Sequence, residues 1–157
     1  MTDDVGTQAD RLLALGHVQA AVALIEQAGA SGDADALFRH AVWKLAGAPL
    51  SRDLPGARSL LRQAAARDHM DAALIEIALT ANGSGAPADW AGARVLLDRI
   101  APRNPVAASH AMLLGNMALT ADGRPTVTPG VRKIADHPQV WHVPGIFTPE
   151  ELSLIHI

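Results

Sequence analysis

Five residues, Ala57-Arg58-Ser59-Leu60-Leu61, return 36 positions later as Ala93-Arg94-Val95-Leu96-Leu97, and the same step backwards meets Ala21-Val22-Ala23-Leu24-Ile25. A second register keeps the spacing: Ala36, Ala72 and Ala108 each open an Ala/Leu-rich run. Self-similarity at such a period marks stacked supersecondary units, none of which can bury its apolar face alone. The punctuation repeats with the letters. Asp53 and Asp89 each stand just before an apolar run, where a side-chain oxygen accepts from the orphan amides of a helix start. Pro55 falls in a first turn, where a missing N–H costs nothing. Gly32, Asp68 and Asn104 share one repeat position at the other end. These residue types best tolerate the left-handed backbone that closes helices.

The spacing predicts helices over 5–15, 18–29, 34–46, 54–66, 70–81, 89–101 and 106–120, with Gly16 as the first break. The expected fold is all-α, a right-handed helical-hairpin repeat solenoid over residues 1–120. Leu24, Leu60 and Leu96, with Ile25, Leu61 and Leu97, supply its inward stripe, and the repeated alanines mark where helix backbones approach most closely. Composition agrees. Of 157 residues 49% are hydrophobic but only 3% aromatic, so the core is built of Ala, Leu and Val.

A net charge of -3 with no basic stripe argues against a nucleic-acid partner. The absence of cysteine excludes disulfide and thiolate chemistry. No apolar stretch approaches the ~20 residues of a membrane span, and the acidic start Met1-Thr2-Asp3-Asp4 lacks the features of a secretory signal. The expectation is a cytoplasmic protein that binds a protein or peptide through its repeat surface, with no nucleic acid and no membrane.

Alanine at helix crossings, Asp before the second helix and Ala-Ala before the turn, at this period, resemble the SEL-like repeat, a relative of the tetratricopeptide repeat. Ala72 to Gly83 followed by Asp89 to Ala93 carries most of the likeness. The family's glycine-rich loop is reduced here to Asn82-Gly83-Ser84-Gly85, and its aromatic positions are mostly absent. The resemblance covers about residues 17–120. It implies an interaction or scaffold role with no inherent catalysis.

The repeat stops after Leu119. The positions matching Asp89 and Ala93 are Pro125 and Pro129, and two prolines with two glycines in residues 121–131 forbid a regular helix. Residues 121–139 read as a linker or extended crossover, and residues 140–157 as the opening of a second domain. Val140-Trp141-His142-Val143 alternates as a short strand, and Pro144-Gly145 signals a turn. Thr148, Pro149 and Glu151 then form a capping box that starts a helix with Leu152, Leu154 and Ile155 on its apolar face. The sequence ends about two turns in, and a chain cut inside this second domain is the expectation.

Pro138-x-Val140 followed by Pro144-Gly145-Ile146-Phe147-Thr148-Pro149-Glu150-Glu151-Leu152 resembles the opening of prolyl 4-hydroxylase-like 2-oxoglutarate/iron(II) dioxygenases. Phe147, Thr148, Glu151, Leu154 and Ile155 match, whereas Leu152 stands where many relatives carry Cys. The resemblance implies a bacterial parent enzyme in which the array serves protein or substrate binding. It implies iron(II) and 2-oxoglutarate as that parent's cofactors, with ascorbate a further candidate. The family's His-x-Asp and distal His lie well downstream of this opening, so this chain is expected to hold no catalytic, cofactor-binding or metal residue and to be inactive by itself. The alternative is a stand-alone repeat scaffold in which residues 123–157 cap the last open helix.

Few residues compete for chemistry. His69-Met70-Asp71 has the letters of an iron-binding pair, but it sits at a turn between repeat helices. There Asp71 reads as a helix-start residue and His69 as a solvated turn residue. Iron or zinc on His69 and Asp71 is the rival reading. His40 and His110 read as partly buried, hydrogen-bonded histidines, and His137 and His142 flank a strand with poor zinc spacing. His17 and His156 complete the set. Trp43 and Trp90 read as wedges between helices, with Trp141 the third large anchor. Arg52, Arg58, Arg62, Arg67 and Arg94 read as a solvated helix face, with a carboxylate-binding patch as the rival. Glu150 and Glu151 read as cap and dipole partners.

Overall fold

In the computed structural model the described residues are 4–127, 130–145, 147, 149 and 152. Their helices are α1 (Val5–Ala14), α2 (Val18–Ala30), α3 (Ala34–Ala46), α4 (Leu54–Ala65), α5 (Met70–Asn82), α6 (Trp90–Ile100) and α7 (Pro105–Asn116). A two-stranded antiparallel sheet follows, β1 (Arg132–Asp136) with β2 (Gln139–His142). Consecutive helices pack on one another from α1 to α7.

The ends of the helices show why the period is so regular. Gly16, Gly32 and Asp68 all have positive φ, at 78, 94 and 63°. Each is followed by an amide that reaches back five residues: His17 to the Leu12 carbonyl, Asp33 to Ala28 and His69 to Ala64. This closure satisfies carbonyls that a helix end leaves orphaned. The longer loops repeat too. Gly47 and Gly83 end α3 and α5 in the left-handed conformation, both at φ 78°. Asp53 and Asp89 then donate their amides to the carbonyls of Lys44 and Thr80. Their carboxylates cap α4 and α6 by accepting from Gly56 N (2.9 Å) and Gly92 N (2.8 Å). Lys44 also hydrogen-bonds Asp53, at 2.9 Å, and this bond with that from Gly56 holds the Asp53 carboxyl below the usual carboxylate range.

The core lies in three slabs along the array. Ala9, Ala21, Ile25, Ala36 and Trp43 form the first; Leu37, Ala41, Leu61, Ala64 and Ala72 the second; Ala73, Leu97, Ile100 and Ala107 the third. Ile25, Leu61 and Leu97 are buried as the stripe requires, while Leu24, Leu60 and Leu96 are half-buried at its edge. Ala21, Ala57 and Ala93 are buried at one repeated contact. Fully burying a Leu or Ile stabilises by about 1.5–3 kcal/mol, and the alanines let backbones close over it.

The third unit departs from the spacing. Asn104 is not left-handed: at φ -138° it is the N-cap of α7, accepting from Ala107 N at 3.0 Å. A 3-10 turn over Ala101–Arg103 tightens the end of α6. The N-caps of α3, α5 and α7 are therefore Asp33, His69 and Asn104, one residue short of a second equal step. Ala107 takes the buried place expected of Ala108, which is exposed.

Helix α7 ends at Asn116, before the expected 120, because Met117 turns to extended backbone at ψ 133°. A tight turn follows in which Thr126 donates its amide to the Ala118 carbonyl at 2.8 Å and Thr120 donates to Arg124 at 2.7 Å. Gly123 lies against the Trp90 indole. The stretch read as linker, 121–139, holds β1, and the expected strand is its partner β2, starting one residue early at Gln139. The pairing matches Lys133 with Trp141 and Ala135 with Val140, with an irregularity between Lys133 and Ala135. Lys133 lies 5.4 Å from the Trp141 ring centroid, a cation–π distance. Most of the helix expected from Thr148 falls outside the described residues.

Candidate functional site

Helices α4 and α6 flank α5 and leave a groove over it. Its polar floor follows from two i, i+4 spacings, which put side chains on one helix face. Arg58 and Arg62 share a face of α4; Glu76 and Thr80 share the facing side of α5. Arg58 is 3% exposed, Glu76 4% and Thr80 7%. Arg58 Nη2 donates to Glu76 Oε1 at 2.9 Å and to Thr80 Oγ1 at 2.7 Å, and Nε reaches both carboxylate oxygens at 3.3 Å. Arg62 Nε donates to the same Oε1 at 2.8 Å, and Thr80 Oγ1 donates to it at 3.1 Å. A buried ion pair persists only when its remaining polar atoms are also satisfied, and here they are. Arg62 differs from Arg58 in being 58% exposed, so its outer guanidinium edge faces the groove.

The deeper part of the groove encloses about 280 Å³ and is lined by Arg62, Ala65 and Ala66 from α4, Ala73, Glu76 and Ile77 from α5, and Leu96, Arg99 and Ile100 from α6. It continues past Thr80 towards Pro87 and Asp89. Such a cleft has small side chains on its walls and fixed charges on its floor. It can hold a chain segment and orient it; none of these groups is placed as a nucleophile beside a base.

The arginines expected on one solvated face are thus divided. Arg58 is buried, because Glu76 on the next helix neutralises it. Arg52 and Arg67 are exposed, Arg67 donating to the Gln63 carbonyl at 2.8 Å. Arg94, one repeat after Arg58, lines a shallow cleft beside Trp90 and Leu114. Spacing alone did not reveal Glu76 and Thr80. A signal existed: Glu26 and His40 precede Arg62 and Glu76 by 36 residues each. Both pairs link the second helix of one unit to the first helix of the next, with the acidic partner exchanged between helices.

His69 is not the solvated turn residue expected. Its side chain is 12% exposed, because Nδ1 accepts from Ala72 N (3.2 Å) as the cap of α5, Nε2 lies 3.3 Å from Asp35 Oδ1, and the ring stacks on Phe38 at 4.3 Å. Asp71 lies in the first turn of α5 and is exposed. Both His69 nitrogens are engaged by the protein. Among the described residues no three His, Asp or Glu side chains converge as metal ligands. His40 is mostly buried, with Nε2 lacking a hydrogen-bond partner and lying 3.8 Å from Glu26. Burial lowers its pKa, against the opposing pull of Glu26. His110 lines an apolar groove with Leu74, Trp90, Leu113, Met117 and Phe147. Trp43 is buried among the N-terminal helices as a wedge; Trp90 is half-buried and Trp141 is 54% exposed. No helix among the described residues is long and apolar enough to cross a membrane.

Among solved structures, a Sel1 repeat protein from Oxalobacter formigenes is similar, with a TM-score of 0.57 and 23% identity over 62% of this chain and 40% of its own. A protective antigen present in uropathogenic Escherichia coli strains, displaying an SLR fold, gives 0.54 and 25% over 57% of this chain and 20% of its own. The helical array therefore has the Sel1-like repeat fold, and the chain spans less than half the length of either neighbour. No family model and no curated protein sequence matches it.

Proposed function

We propose that this chain is a helical-repeat interaction scaffold that binds a segment of a partner protein in the groove between α4 and α6. One observation carries the reading: a fully bonded Arg58–Glu76–Thr80 cluster fixes the floor of a groove that is open along the array. Stacked repeats build extended surfaces of this kind for partner binding, and a preorganised floor lowers the ordering cost of binding. An unbiased displayed peptide library tests it. Selected peptides are expected to slow amide exchange in α4, α5 and α6, and to lose binding to Ala66→Trp, which fills the groove from an exposed position. No enrichment, or protection confined to other helices, overturns the reading.

A second reading joins the array to an iron(II)/2-oxoglutarate dioxygenase domain. Its support is the match of Pro138-x-Val140 and Phe147-Thr148-Pro149-x-Glu151 to that family's opening. With His69 spent on the cap and on Asp35, this chain's described residues do not fit the iron. In that reading the ligands are encoded after Ile157. The gene beyond codon 157 decides: an in-frame His-x-Asp with a distal His supports it, and a stop codon there removes it and leaves the scaffold standing.

A further inference from the structure

The groove between α4 and α6 carries an excess of positive charge that the rest of the chain does not share. Among the described residues Glu76 is the one carboxylate lining its deeper part, and both Arg58 and Arg62 pair with it. Arg62 spends only Nε on that carboxylate, and its exposed edge adds a second cation. Arg99, exposed on α6, has no hydrogen-bond or ion-pair partner among the described residues and lines the same space. Three guanidiniums, Arg58, Arg62 and Arg99, thus meet two carboxylates, Glu76 and Asp89, along the groove, on a chain whose net charge is -3. Asp89 borders the far end, but its carboxylate is held by Gly92 N as the cap of α6. Beside Arg62, Glu76 and Arg99 the lining is Ala65, Ala66, Ala73, Ile77, Leu96 and Ile100. Alanines let a bound main chain come close, and the branched residues offer apolar contact.

We infer that the groove takes an extended peptide segment of a partner in which acidic and apolar residues alternate, its carboxylates set on Arg62 and Arg99 and its apolar side chains on Ala73 and Ile77. This rests on the scaffold reading and adds the chemistry of the partner. A planar guanidinium pairs a carboxylate through two parallel hydrogen bonds, whereas a neutral segment would cover both arginines without replacing their water. Alternation suits the geometry, because successive side chains of an extended segment point to opposite sides, and the groove sets Arg62 and Arg99 beside small and apolar side chains.

Two displayed peptide libraries test this on the full chain. Both draw alternate positions from the same apolar set. The intervening positions are Asp or Glu in one and Asn or Gln in the other. The acidic library is expected to yield binders whose affinity falls at least tenfold on Arg99→Gln, falls again on Arg62→Gln, weakens as salt rises, and is lost on Ala66→Trp. Arg99→Gln isolates the charge, because it disturbs no described contact; circular dichroism confirms that each variant keeps its helices. Neutral binders of equal affinity that Ala66→Trp blocks would overturn the acidic preference and leave the scaffold reading intact. Binders from neither library, or binders indifferent to Ala66→Trp, would overturn both.

Discussion

Glu76 accepts hydrogen bonds from Arg58, Arg62 and Thr80, and only Arg62 among these can turn to water instead. Glu76→Ala therefore strands the Arg58 guanidinium at 3% exposure. Breaking a buried pair from one side costs about 3–5 kcal/mol, and the urea midpoint is expected to fall accordingly. Replacing both partners, as Arg58→Met with Glu76→Leu, should recover most of the loss. If the single variant is as stable as the parent, the cluster is no part of the core. His40 makes the opposite kind of prediction. Its folded pKa lies below the ordinary 6.5, chiefly through burial. The unfolded chain therefore takes up a proton before the folded one does, and stability falls as pH drops below that value. His40→Leu removes both the unpartnered Nε2 and this dependence. Urea midpoints of parent and variant should diverge as pH falls below 6.5, the parent losing more; parallel profiles would contradict it. Glu76 was not legible in its role, and His40 was legible only as partly buried, not as lacking a partner for Nε2. Arg58 and Arg94 repeat as letters, yet burial is decided by a partner 18 residues on, Glu76, which has no counterpart for Arg94. Periodicity reports which face a residue occupies, and a singular partner across that face escapes it.

The helices α1 to α6, by contrast, were legible almost to the residue, because most of their ends repeat the same chemistry. Asp53 and Asp89 cap α4 and α6 through glycine amides at nearly equal distances. Asp89→Ala should lower stability by about 1 kcal/mol, the ordinary worth of such a cap, and quicken amide exchange at the start of α6. Asp53→Ala should cost more at neutral pH, because the hydrogen bond from Lys44 is lost with the cap. The depressed pKa of Asp53 fixes the sign: its contribution is complete above the unfolded carboxyl value and disappears as pH falls through the folded one. In acid the Asp53→Ala variant should approach the parent. A persistent gap there would show that the Asp53 effect is not ionic. The elements that escaped the sequence lack these signals. Strand β1 reads Arg-Lys-Ile-Ala-Asp, with neither clean alternation nor a run of β-branched residues, and is held by its pairing with β2. The slipped start of α7 depends on a 3-10 turn at Ala101–Arg103, and local letters do not distinguish that turn from continued helix.

At the scale of the whole molecule, the three core slabs draw on successive helices, and no residue is common to two of them. Stability in such an array is a sum of unit and neighbour terms, so opening begins where a unit has one neighbour. Helix α1 ends one side, and α7 ends the other without the second helix that Pro125 and Pro129 forbid. The hairpin beyond adds little buried surface: Val131, Ile134, Val140 and Trp141 are 57, 59, 41 and 54% exposed. Amide exchange should accordingly be slowest in α3, α4 and α5, faster in α1 and α7, and fastest in β1 and β2, a gradient that local opening energies set. The site sits where this gradient is lowest, since α4 and α5 supply Arg58, Arg62, Glu76 and Thr80. Partner binding there would not have to order its own floor. Deleting residues 130–157 should leave the unfolding free energy from urea titration within about 0.5 kcal/mol of the parent, as for changes away from buried contacts. Leu61→Ala, at the fully buried centre, should cost about 2–5 kcal/mol. A deletion as damaging as Leu61→Ala would mean that the C-terminal segment caps the open face of α7, where Phe147 already lines the groove beside Trp90 and Leu113. The array would then end on its own chain, and the exchange gradient would be steep only at α1.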